Sequence, residues 1–221
     1  PRLALLDAEL AVDVRREVTA ASGADALCQL IESYTSAKAN PISDGLALEG
    51  IMRAAKSLQR VYDEPQDVEA RENMAIAALL SGITLTNAGL GAVHGFAAPM
   101  GGRYPVPHGV VCAALLPHVI RANVRALRQR LPNSPVLARY SIIGPSLTGE
   151  GYISADAAID AAVNYIAELT CYMQIPPLRQ YGVKHEDIPQ LVAAARKSSS
   201  MRYNPIELTE DELAGILEAA I

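Results

Sequence analysis

Asn87–Gly109, NAGLGAVHGFAAPMGGRYPVPHG, is the segment from which the rest of the chain can be read. It carries two of the four histidines, His94 and His108, between two apolar helical stretches. His94 to Met100 is expected to be helical. Gly101-Gly102 is expected to break that helix, and Pro105 and Pro107, which lack an N–H and fix φ, keep it from resuming. A further helix is predicted from near His108 to about Asn123. The segment therefore presents two imidazoles from a punctuated connection between helices.

Outward from it, the pattern is almost entirely helical. Thr19 to Ala37 places Ala24, Leu27, Leu30, Ile31 and Tyr34 at helical spacing. Asn40-Pro41 ends that element, and Pro41 opens the next, as proline does in a first helical turn. That helix runs to about Tyr62, with Leu46, Leu48, Ile51 and Leu58 as core positions. Asp63-Glu64-Pro65 is a loop. Asp67 caps a third helix through Met74, Ala78 and Leu85, apolar on nearly every side, a pattern that predicts burial within a bundle. Downstream, Asn133-Ser134-Pro135 reads as a turn and Gly144 to Gly151 as a loop. Ser154 caps a helix ending near Met173, and Pro176-Pro177 starts a short turn. His185 to Lys197 is helical. Thr209 caps the last helix, whose first turn holds Glu210, Asp211 and Glu212, a charge that suits the positive helix end. No strand is expected beyond the first few residues, where Pro1 to Asp7 reads as an extended apolar stretch. The fold class is all-α, a helical bundle forming a single domain over residues 1–221.

Composition limits the function classes. The chain has 221 residues, half of them hydrophobic, enough for one good core. With nine Tyr, one Phe and no Trp, that core must be built from Ala, Leu, Ile and Val. The net charge of -5 is scattered, with no basic stripe of the kind that binds nucleic acid. Uninterrupted apolar runs such as Val110 to Leu116 stop short of the ~20 residues that span a bilayer, so no membrane role is expected. Cys28, Cys112 and Cys171 lie far apart in apolar helical stretches. They are read as reduced thiols of a cytoplasmic protein rather than a disulfide frame. The chain does not open on Met and shows no signal peptide, and it is expected to be a fragment or a processed piece.

Four side chains carry the chemistry. Asp25 and Gln29 are four residues apart, so both share one face of the first helix. Their surroundings from Ala20 to Ile31 are mostly apolar, and a carboxylate there needs a partner. His94 and His108 each sit beside glycines, and neutral imidazole is a common nitrogen ligand for zinc and iron. Gly95 and Gly109 are expected to leave space beside the rings for substrate or cofactor. His118 reads as a core histidine with a ring nitrogen on a backbone carbonyl, and His185 as a surface residue or helix start.

Gly-Ala-Asp-Ala-Leu-Cys-Gln-Leu-Ile-Glu-Ser-Tyr from Gly23, Asn-Ala-Gly-Leu-Gly-Ala-Val-His-Gly from Asn87, and Pro-His-Gly at Pro107 together resemble the iron-containing (group III) alcohol dehydrogenase family. Asn40-Pro41-Ile42-Ser43-Asp44, Leu115-Leu116-Pro117-His118-Val119 and Asn204-Pro205 extend the likeness along the whole chain. The resemblance is to the C-terminal helical metal-binding domain of this dehydroquinate-synthase-like fold. It implies one divalent metal, Fe2+ or Zn2+, in a cleft between domains, held by an Asp and three His. Asp25, His94 and His108 match three of those positions. Gln29 stands where the remaining His is expected, and Ala98 stands where members often carry another His. The resemblance also implies that NAD(P) binds to an N-terminal α/β domain absent from this chain, so the chain alone is expected to be inactive. The expected activity of the parent is oxidation of a small alcohol or reduction of a carbonyl compound, and a homo-oligomer is compatible with it. The competing reading is a non-catalytic helical domain with a decayed metal site, kept for oligomerisation or ligand binding.

Overall fold

The computed structural model describes residues 3–221. Among them are nine α-helices and four short 3-10 turns, with no strand. The helices are α1 (Arg16–Thr35), α2 (Pro41–Asp63), α3 (Val68–Ala88), α4 (Ala92–Arg103), α5 (His108–Arg130), α6 (Pro135–Thr148), α7 (Ala155–Tyr172), α8 (Ile188–Ala195) and α9 (Glu210–Ala220). Local chemistry sets most of the boundaries. The Asn40 side chain accepts from the Ile42 and Ser43 N–H groups, Ser43 returns a bond to the Asn40 N–H, and Pro41 fills the first position of α2. The Asp67, Ser154 and Thr209 side chains each accept a backbone N–H in the first turn of α3, α7 and α9, and Thr209 with Glu212 completes the reciprocal box.

The central helix is α1, which packs against α2, α3 and α5. Leu27, Cys28, Leu30 and Ile31 are each at most 2% exposed. The burial expected of α3 is thus found in α1. In α3, α1 and α2 cover one side only, and Ala78, Leu79, Gly82 and Ile83 face outward. Although apolar all round, α3 is a face helix. Among the described residues one helix, α5, is long and apolar enough by composition to cross a membrane, a length that short apolar runs do not reveal. Its apolar residues, from Val110 through Leu127, are packed into the bundle core.

Three further expectations are corrected. Gly101-Gly102 does not break α4, which runs to Arg103 and closes with the Tyr104 N–H on the Met100 carbonyl at 2.9 Å. Glycine costs only about 1 kcal/mol in a helix. Buried Met100 and the ion pair of Arg103 with Asp187 at 2.9 Å hold the last turn in place. α5 continues past Asn123 to Arg130, because Val124, Ala126 and Leu127 extend its buried face. Gly144 lies inside α6 rather than in a loop. A Cβ there would stand 2.1 Å from the Ala158 carbonyl oxygen, so the glycine lets α6 and α7 touch. The helix ends five residues later, at Gly149, whose φ of 74° is left-handed. The extended stretch expected at Pro1 to Asp7 falls partly outside the described residues. From Leu3 onward it forms no strand, and Leu3 and Leu5 are exposed.

Candidate metal centre

The site forms where the N-termini of α4 and α5 meet the middle of α1. The start of α4 has no cap of its own, since Gly91 precedes it. Its orphan N–H groups are satisfied from elsewhere in the chain. The Asn204 side chain accepts from Ala92 N–H at 3.1 Å. Glu32 on α1 accepts from Val93 N–H at 2.7 Å and His94 N–H at 3.3 Å. A carboxylate at this positive helix end is well placed. Gly91 is required by the close approach: a Cβ there would lie 2.8 Å from Glu32 Oε1 and 2.9 Å from Asn204 Oδ1. Asn204 is fixed in turn by Asn123 and by the Ile206 carbonyl, each at 2.7 Å.

Glu32 also orients the imidazole. His94 Nδ1 donates to Glu32 Oε2 at 2.7 Å, which turns Nε2 toward Asp25 Oδ1 at 3.2 Å. His108, the first residue of α5, brings its Nε2 within 3.6 Å of the same Asp25 oxygen. One turn later, Cys112 Sγ lies 3.7 Å from His94 Nε2. One ligand atom from each of Asp25, His94, His108 and Cys112 falls within 4.8 Å of all the others. These spacings suit a cation. A tetrahedral metal bound at about 2.0–2.1 Å to N or O and 2.3 Å to S has ligand-to-ligand edges of roughly 3.3–3.6 Å. The donor set of one carboxylate, two imidazoles and one thiol is one that zinc and iron accept.

Electrostatics agree with a gathered charge. Burial works against an ionised Asp25, yet the hydrogen bond to His94 and the charges of both imidazoles hold its carboxyl below the usual range. Burial also opposes protonation of His94, but hydrogen bonds to Asp25, Cys112 and Glu32 push it up to about 12. A hydrogen bond from Cys28, helped by His108 and His94, lowers Cys112, while burial raises Cys28. The proton held among these groups stands where a cation would compete for it.

The structure brings Asp25, His94 and His108 together. Gln29 lies beside them, but with its nitrogen toward Asp25: Nε2 donates to Asp25 Oδ2 at 2.9 Å, and Oε1 accepts from the Ser81 hydroxyl at 2.8 Å. Glu32 and Cys112 were missed. Both were visible as spacing, since Glu32 follows Asp25 by seven residues and Cys112 follows His108 by four. The glycines serve packing rather than open space. A Cβ on Gly109 would meet the Ala21 carbonyl oxygen at 2.0 Å, and one on Gly95 the Met201 methyl at 2.7 Å. The room for a ligand lies elsewhere, in a cavity of about 550 Å³ bounded by Asp25, His108, Tyr62, Met173, Gln174 and Tyr181. His118 makes no hydrogen bond among the described residues, so its expected carbonyl partner is absent; it is half-buried, and burial lowers its pKa. His185 begins an exposed 3-10 turn, and Ala98 is exposed on α4.

The sequence profile described as "Fe-containing alcohol dehydrogenase family, C-terminal" matches residues 19–221. The chain belongs to the iron-containing alcohol dehydrogenase family. It is 37% identical over 221 residues to 1,3-propanediol dehydrogenase of Klebsiella pneumoniae, covering 100% of this chain and 55% of that protein. It is 35% identical to lactaldehyde reductase of Escherichia coli K12, again covering 100% of this chain and 55% of the relative. The crystal structure of a 1,3-propanediol oxidoreductase superposes with a TM-score of 0.89 at 36% identity, covering 97% of this chain and 55% of that one. The chain thus spans about half the length of the relatives it matches. These relatives are alcohol and aldehyde oxidoreductases, and the shared helical fold is that of the family's C-terminal domain.

Proposed function

We propose that this chain is the metal-binding part of an NAD(P)-linked oxidoreductase acting on a small alcohol or aldehyde. One divalent cation, Fe2+ or Zn2+, is held by Asp25, His94 and His108, with Gln29 beside them. The observation that carries this reading is the meeting of three candidate ligands, from three helices, around a single oxygen of Asp25. A divalent metal supplies Lewis acidity to an alcohol or carbonyl oxygen. The protein side chains supply the rest. Glu32 holds the proton on His94 Nδ1, so that Nε2 is the nitrogen offered to the centre, and such outer carboxylates orient ligands and raise their basicity. Gln29 occupies Asp25 Oδ2 and leaves Oδ1 facing the imidazoles.

The cavity beside Asp25 and His108 is the proposed substrate cleft. Its mixed wall of Tyr62, Met173, Gln174 and Tyr181 suits a short, partly polar molecule. The names of the relatives, 1,3-propanediol dehydrogenase and lactaldehyde reductase, favour the same substrate size. Dinucleotide binding is assigned to the part of the relatives that this chain does not span. The free, buried thiols Cys28 and Cys112 beside the centre favour a reducing compartment, the cytoplasm.

The test is alcohol-dependent reduction of NAD+ or NADP+ by the protein that contains this chain, with short-chain alcohols and diols as substrates. Turnover should be abolished by chelation and restored by Fe2+ or Zn2+. It should fall by at least about 100-fold in Asp25→Asn, since loss of an outer-shell partner alone costs about 10–100-fold. Undiminished turnover in Asp25→Asn would reject the assignment.

A further inference from the structure

We infer that Cys112 is the fourth protein ligand of this centre, taking the place that an imidazole at Gln29 would have filled. The inference rests on the proposed metal site and deepens it. Two observations carry it. First, Cys112 Sγ lies 3.7 Å from His94 Nε2 and within 4.8 Å of the other two ligand atoms, close to the edge of a mixed N/S tetrahedron. Second, Gln29 cannot serve without loss. Its only ligand atom accepts the Ser81 hydroxyl, and its nitrogen is tied to Asp25, so coordination would break both bonds. Turning the amide over would set its oxygen against the Asp25 carboxylate.

The spacing has a simple origin. His108 and Cys112 are four residues apart in the first turns of α5, so one helix face carries an imidazole and a thiol, just as α1 carries Asp25 and Gln29. A fourth donor is therefore available from α5 where α1 presents Gln29. Cys112 is buried behind the rings, while the cavity borders Asp25 and His108, so the thiolate does not block the substrate side. On binding a divalent cation, Cys112 Sγ and His94 Nε2 give up their protons to solvent. A soft sulfur donor shifts preference away from Fe2+ and toward Zn2+.

The experiment is cobalt substitution. Wild-type protein loaded with one equivalent of Co2+ should show visible ligand-field bands and, in the near ultraviolet, a thiolate-to-cobalt charge-transfer band. Cys112→Ser should lose the charge-transfer band, keep the ligand-field bands, and bind Co2+ about 10–100-fold more weakly. Cys28→Ser and Gln29→Ala should both retain the charge-transfer band. A measurement on wild type needs no variant: X-ray absorption of the zinc-loaded protein should show one sulfur at about 2.3 Å. Ligand-field bands without charge transfer, or a spectrum with only N and O scatterers, would overturn the Cys112 assignment and leave the metal site standing. A charge-transfer band lost in Cys28→Ser but kept in Cys112→Ser would overturn it as well. No cobalt binding at all would overturn both the assignment and the site.

Discussion

Glu32 shows how much one buried carboxylate does here. It is 5% exposed, caps α4 through two backbone N–H groups, and fixes the tautomer of His94. Replacing it with Gln leaves a single acceptor oxygen for three donors. We therefore expect Glu32→Gln to weaken metal binding by about 10–100-fold and to destabilise the metal-free protein by about 1–3 kcal/mol. Competition against a chelating dye and denaturant unfolding read the two effects separately. Unchanged affinity would show that His94 does not depend on Glu32. The sequence reveals Asp25, His94 and His108 because a carboxylate in an apolar helix and two glycine-flanked imidazoles are both costly without partners. Taken alone, Cys112 looks like any small core residue in an apolar run, and only its four-residue spacing from His108 sets it on the same helix face as that imidazole.

Among the helices, capping was the legible part. Asn40-Pro41, Asp67, Ser154 and Thr209 announce four helix starts through chemistry that is local in sequence. The glycines misled, since the same residue marks a break, a tolerated interior position or a tight helix contact, and only packing tells these apart. That distinction predicts opposite signs. A Cβ at Gly101 meets nothing within 4 Å, so Gly101→Ala should stabilise the protein by about 0.5–1 kcal/mol. Gly144→Ala would press into the Ala158 carbonyl and should destabilise by about 1–3 kcal/mol. Matching signs in urea unfolding would contradict this packing of α6 on α7. The α3 cap adds a pH dependence. The bond from Ala70 N–H, with that from Arg60, holds the Asp67 carboxyl below its usual range. A group so depressed contributes stability above its unfolded value of about 3.9, and the contribution is lost as pH falls through the lower folded value. Asp67→Asn should thus lower the denaturant midpoint at neutral pH, and the gap from wild type should close in acid. A gap that widens in acid would be the wrong sign.

Across the whole molecule, the all-helical class follows from composition and periodicity, but the ranking of helices by burial does not. α1 and α3 are both apolar, and which of them lies at the centre is decided by where α2 and α5 pack. The consequence for function is geometric. By placing α1 centrally, the fold lets one helix offer Asp25 to the cleft, Gln29 to Asp25, and Glu32 to the start of α4, while α4 and α5 close in from the side with His94 and His108. The account therefore stands or falls on the presence of one cation at that meeting point. Anomalous diffraction from crystals of the zinc- or iron-loaded protein, recorded on either side of the metal edge, locates it without reference to activity. We predict a single strong anomalous peak per chain within about 2.0–2.2 Å of Asp25 Oδ1, His94 Nε2 and His108 Nε2. A metal-loaded crystal with no peak there, or with its only peak elsewhere on the surface, would contradict the account.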